Sequence, residues 1–161
     1  MKFFSLALLA TAAAASPAHR YFHLISSGAS NSTYNGLYLS TQSTGPLNSQ
    51  AILTSEESIA GVFIMNNGTV RYKAENNAPW ELALIPGKQI KSGVEVSVSP
   101  KSGSTGFSLS KGGILQDSST NFSGWLACSD KGLYYVNAAV GSGTPDGCYD
   151  IKLKADYEFS T

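Results

Sequence analysis

The sequence predicts an all-β fold: a single β-trefoil-like closed barrel of about twelve short strands. Three observations lead there. No segment sustains the apolar period of about 3.6 residues that marks an amphipathic helix. Short runs rich in Val, Ile, Leu, Tyr and Phe instead recur between clusters of Gly, Asn, Ser and Pro, at roughly the 8–12-residue spacing of sandwiches and barrels. A loose internal echo chooses between those two. Val62-Phe-Ile-Met-Asn-Asn-Gly-Thr-Val and Gly106-Phe-Ser-Leu-Ser-Lys-Gly-Gly-Ile-Leu share the order apolar strand, Gly turn, apolar strand, and Gly132-Leu-Tyr-Tyr-Val echoes Gly36-Leu-Tyr-Leu. Three such units of about 40–50 residues suit a three-lobed barrel. The alternative arrangement is an open two-sheet β-sandwich.

The strands are expected in order at residues 21–26, 36–41, 50–54, 61–65, 69–73, 80–85, 94–99, 106–110, 114–116, 124–128, 133–137 and 149–157. Val94-Glu-Val-Ser-Val-Ser and Ile151-Lys-Leu-Lys-Ala-Asp-Tyr alternate apolar with polar, as a strand does when one face is buried and the other wet. Asn66-Asn67-Gly68 reads as a tight hairpin turn, and Lys111-Gly112-Gly113 separates another strand pair. Residues 55–60 form one helical turn at most.

Residues 1–18 stand apart. A basic start, an apolar run over residues 3–15 and the small residues Ser16-Pro17-Ala18 form the layout of a secretory signal peptide. The run is too short for the roughly 20 residues that span a bilayer. Residues 19–161 then form one domain, expected to be extracellular and monomeric. In an oxidising compartment Cys128 and Cys148 have one intrachain pairing open to them, a disulfide. Asn31, Asn67 and Asn121 begin Asn-x-Ser/Thr sequons and become candidate glycosylation sites.

Charge and catalytic inventory narrow the function. Eleven Lys and Arg balance eleven Asp and Glu, so no basic footprint for nucleic acid or an anionic membrane exists. Two cysteines cannot build a structural zinc site. His19 and His23 are the sole histidines, no Gly-x-Ser-x-Gly elbow occurs, and His23 reads as a strand residue making one hydrogen bond. Glu81, beside Trp80, reads as a wet-face carboxylate, and Glu56 and Glu57 as solvated. Asp146 and Asp150 offer too few oxygens for calcium. The expectation is a non-enzymatic protein with no catalytic residues, metal or cofactor.

What remains is recognition. The chain carries eight Tyr, seven Phe and two Trp. Trp80, Tyr134 and Tyr135 are candidate contact residues, with one of the adjacent tyrosines facing inward and the other outward. Trp125 reads as a core residue. Residues 40–49, 86–92 and 138–145, which hold Pro46, Pro86 and Pro145, are predicted as long loops of the kind that carry binding on rigid scaffolds.

Phe122-Ser-Gly-Trp-Leu-Ala-Cys128, Leu133-Tyr-Tyr-Val, Pro145-Asp-Gly-Cys148 and Asp150-Ile-Lys-Leu-Lys-Ala155, with Gly106-Phe-Ser-Leu upstream, resemble small secreted fungal β-domain proteins. More distantly they resemble phialide-type cell-wall proteins and allergens. The resemblance implies a fungal protein of the wall or the host interface, with Cys128 paired to Cys148, and carries no enzyme signature. The function expected is binding to an extracellular partner, in one form an effector inhibiting a host papain-like cysteine protease. That form rests on analogy with other rigid trefoils. The alternatives are a cell-wall polysaccharide-binding protein and a small glycan-active enzyme using two carboxylates.

Overall fold

A computed structural model describes residues 20–98 and 103–157; the predicted leader and His19 lie outside them. Twelve strands follow one another: β1 Tyr21–Ser27, β2 Tyr38–Ser43, β3 Asn48–Thr54, β4 Phe63–Asn66, β5 Thr69–Lys73, β6 Pro79–Ile85, β7 Lys91–Ser97, β8 Phe107–Leu109, β9 Leu115–Asp117, β10 Phe122–Cys128, β11 Leu133–Asn137 and β12 Cys148–Asp156. Short 3₁₀ turns at Ser32–Tyr34 and Glu57–Ile59 are the sole helical elements among the described residues. The second is the single turn expected at residues 55–60. The first was not legible: Asn31 creates it by accepting the Thr33 amide on its side chain at 3.1 Å.

Ladder pairing runs from β11 through β10 and β12 to β1, which also pairs with β4. From β4 it continues through β5, β6 and β7 and returns to β11, closing a ring of eight strands. The β2–β3 hairpin bridges β1 to β7. The β8–β9 ribbon is tied in by Gly106 and Phe107, whose amides donate to the Gly68 carbonyl, and by the Ala155 amide donating to Gly113. The open sandwich is therefore not what forms. Pairing of β1 with β4 and of β7 with β11 closes the sheet and removes its exposed edges.

The hairpins β2–β3, β6–β7 and β10–β11 meet edge to edge, and one bond recurs three times where they meet. The Leu47, Ile90 and Lys131 carbonyls, each at a hairpin turn, accept from the amides of Val98, Asn137 and Leu53 at 3.1, 2.8 and 2.8 Å.

Local chemistry explains the elements. Asn67 and Gly68 have φ of 47° and 82°, the doubly left-handed turn that suits a two-residue hairpin. In β12, Ile151, Leu153 and Ala155 are buried while Lys152 and Lys154 are exposed. Inside the barrel Phe22, Leu24, Leu39, Phe63, Leu82 and Leu153 are buried around Trp125, whose indole N–H donates to the Leu115 carbonyl at 2.9 Å.

Two predicted boundaries need correction. Residues 40–49 are not a long loop: Ser40–Ser43 and Asn48–Ser49 lie in β2 and β3, leaving a four-residue tip. Strand β7 begins at Lys91 rather than residue 94. Ser92 and Gly93 pair there with Tyr135 and Tyr134 of β11, a contact that local propensity does not encode.

A candidate recognition cleft

The loop between β6 and β7 and the loop between β11 and β12 converge on a cleft of about 520 Å³. Gln89, Ile90 and Lys91 line one side; Val140, Ser142, Gly143, Thr144 and Pro145 line the other. Two of the three predicted recognition segments are thus brought together. The third is not: Pro46 is exposed on the β2–β3 tip, whose neighbour is Val98 at the end of β7.

Each wall is held from below. Asn137, at the end of β11, is 3% exposed. Its side-chain amide donates to the Gly87 carbonyl and to Ser92 Oγ at 3.2 and 3.4 Å, and its Oδ1 accepts the Ala139 amide at 3.1 Å. One side chain therefore fixes both loops, leaving none of its hydrogen-bonding atoms unused. Gly141 allows their close approach, since a Cβ there would stand 3.1 Å from Ile90. Beneath the cleft, Leu126, Val136 and the bonded pair Cys128–Cys148 form a small apolar cluster against which Ile90 and Tyr134 rest. The disulfide joins directly opposed residues of β10 and β12 and encloses the whole second loop.

Electrostatics beside the cleft centre on Tyr134. Its hydroxyl donates to Asp130 at 2.7 Å and accepts from Gln50 at 3.4 Å; Lys91 lies 4.3 Å above its ring and 3.7 Å from Asp130. Burial pushes the Tyr134 hydroxyl up to about 12, helped by its bond to Asp130 and the negative charge there. For Asp130, partial burial acts upward. The bonds from Tyr134 and the Gly132 amide, with the Lys91 cation, outweigh it and hold the carboxyl below its ordinary value.

The remaining predicted residues scatter. Tyr135 is 2% exposed and fills the core, so it cannot touch a ligand, and its candidacy as a contact residue is withdrawn. Pro86 is exposed at the start of the first loop without lining the cleft; Pro145 lines it. Trp80 is half-buried on β6 and borders a separate pocket. Asn67 and Asn121 are exposed and Asn31 is half-buried. His23 bonds through Nδ1 to the Gly61 carbonyl at 2.8 Å, and Glu81 pairs with Arg71 at 3.0 Å. Among the described residues, no three His, Cys, Asp or Glu side chains gather closely enough to hold a metal ion.

A family model described as a domain of unknown function (DUF7907) matches residues 19–157. The chain belongs to this family. None of the curated proteins and none of the solved structures matches it.

Sequence reasoning placed Ile90, Lys91 and Val140 within recognition loops without singling them out, and it missed Asn137. A signal for Asn137 was present: strand alternation puts it on the inward face with Leu133 and Tyr135, and an inward polar residue needs partners. No signal in the sequence marked Lys91, whose role depends on a ring from another hairpin.

Proposed function

We infer that this chain is a secreted, non-enzymatic binding protein that engages an extracellular protein through the cleft between its β6–β7 and β11–β12 loops. The observation that carries the reading is that convergence. Two loops remote in sequence are pinned together by Asn137 and backed by a disulfide, and they present Val140 to solvent at 44% exposure above the Ile90 wall. An apolar residue held out on a rigid base loses little entropy on docking, which favours tight association. The partner we favour is a papain-like cysteine protease, whose substrate groove accepts projecting loops of this kind.

Two further readings belong with this one. The barrel is a β-trefoil: the three hairpins, their edge-to-edge meeting and the thrice-repeated turn bond support a three-fold plan. The protein is a fungal secreted protein of the wall or host interface. Here the support is the sequence resemblance, the signal layout of residues 1–18, which the family match leaves out, and the disulfide.

The test uses residues 19–161 with the disulfide intact and papain as the probe, reading hydrolysis of a small fluorogenic peptide. Saturable inhibition, lost in Val140→Asp and retained in Pro46→Ala, is expected. Absence of inhibition across papain-like and serine proteases removes the inhibitor reading. Inhibition indifferent to Val140 removes the cleft.

A further inference from the structure

A second pocket, of about 310 Å³, is framed by β2, β3, β5, β6 and β7 and shares no residue with the cleft. Register builds it. Tyr72 on β5 is paired directly with Trp80 on β6, which puts the two rings side by side on one face of the sheet. Both rest against the core while keeping part of their surface in solvent. The reversal after β5, where Asn77 takes a φ of 55° and its amide donates to the Ala74 carbonyl at 3.1 Å, carries Glu75 and Asn76 to the rim. Thr41 closes the other side.

The hydrogen-bonding capacity here is unspent. Among the described residues, the side-chain polar atoms of Thr41, Tyr72, Glu75 and Trp80 have no hydrogen-bond partner. Asn76 uses only its Oδ1, which accepts the Ala78 amide at 3.0 Å, leaving its two amide hydrogens. None of these unpartnered atoms is buried, so each faces solvent, where a ligand can reach it. Two aromatic faces ringed by an amide donor, two hydroxyls and a carboxylate acceptor match a ligand with an apolar face and a polar edge. A pyranose ring is such a ligand. No cationic side chain lines the pocket and Glu75 repels anions, so a phosphate or carboxylate does not fit. The volume lies near the small end of ligand sites, enough for one sugar unit.

We propose that this pocket binds one gluco-configured pyranose unit of a neutral glycan. The sugar's axial C–H face packs on Trp80 and Tyr72. Its equatorial hydroxyls donate to the Glu75 carboxylate and accept from the Asn76 amide. This goes beyond the protein-binding reading and uses different residues, so the two stand or fall apart.

Intrinsic fluorescence tests it directly, because the chain has two tryptophans and Trp125 is 3% exposed. Trp80 alone is placed to report on a ligand. The intact-disulfide protein is titrated with chitopentaose, laminaripentaose and choline, with calorimetry alongside. Expected is a saturable change with at least one oligosaccharide, weakened at least about tenfold in Trp80→Ala and several-fold in Glu75→Gln, and unchanged in Val140→Asp. Trp80→Phe, which keeps an aromatic face, is expected to retain weakened binding by calorimetry, separating recognition from misfolding. No response to either oligosaccharide up to about 10 mM, binding indifferent to Trp80, or binding of choline alone overturns the proposal. Papain inhibition is expected to survive Trp80→Ala, so failure of this site leaves the cleft reading intact.

Discussion

Breaking the Cys128–Cys148 bond tests how the cleft is held. The two residues are 20 apart in sequence, and the chain-entropy relation for a loop of that size gives about 3 kcal/mol of stabilisation. For a domain of this length that corresponds to a fall in Tm of roughly 6–12 °C. Both cysteines are buried, so a Cys128→Ala/Cys148→Ala variant also loses sulfur contacts with Leu126 and Val136, adding about 1 kcal/mol. Protein reduced in denaturant and refolded under reductant keeps those atoms and loses only the bond, so it isolates the first figure. The assay is urea unfolding of oxidised and reduced protein followed by tryptophan fluorescence. The m-value is expected to rise on reduction as the unfolded chain expands. Hydrogen exchange should quicken first at residues 138–147, the loop that the bond encloses. A loss under about 1 kcal/mol in the reduced protein, with exchange there unchanged, would refute the reasoning: the loop would then be held by its other contacts alone.

Three more outcomes follow from the same geometry. Asn137→Ala removes the shared tie between the two cleft loops and is expected to cost about 2 kcal/mol in urea unfolding, with faster exchange at residues 86–90 and 139–141. Gly68→Ala puts a side chain at φ 82° with its Cβ 3.3 Å from the Gly106 amide; a loss of about 1–2 kcal/mol is expected, against near neutrality for Asn67→Gly at the same turn. The third concerns pH. The Asp130 carboxyl is depressed, so its contribution to stability is present above the unfolded carboxylate value and lost as pH falls through the folded one. Tyr134 is raised from 10.0 to about 12, so its contribution is present below 10.0 and lost as pH rises through about 12. Ultraviolet titration should show a tyrosine ionising about two units late that disappears in Tyr134→Phe, while NMR titration of that variant shows the Asp130 carboxyl moving up.

The sequence by itself determined the elements. Twelve strands form in the predicted order, though β2, β3 and β7 run into segments read as loops; the signals that place them are local: Asn67 and Gly68 can adopt left-handed φ, and Lys152 and Lys154 must stay wet while Ile151 and Leu153 are buried. It also determined the disulfide, since two cysteines allow one pairing. Tertiary structure decided which elements meet. Ring closure depends on β1 finding β4 and β7 finding β11, pairings between residues far apart in the chain. The adjacent Tyr134 and Tyr135 show the divide most plainly. Alternation says that one points in and the other out, but only Ser92, Asp130 and Lys91, brought from elsewhere in sequence or turn, settle that Tyr135 is core and that Tyr134 lies beside the cleft between a carboxylate and an ammonium. The cleft itself has the same origin. No local pattern relates Gln89, Ile90 and Lys91 to Val140 and Pro145, because what joins them is a buried amide from Asn137 reaching across two hairpins.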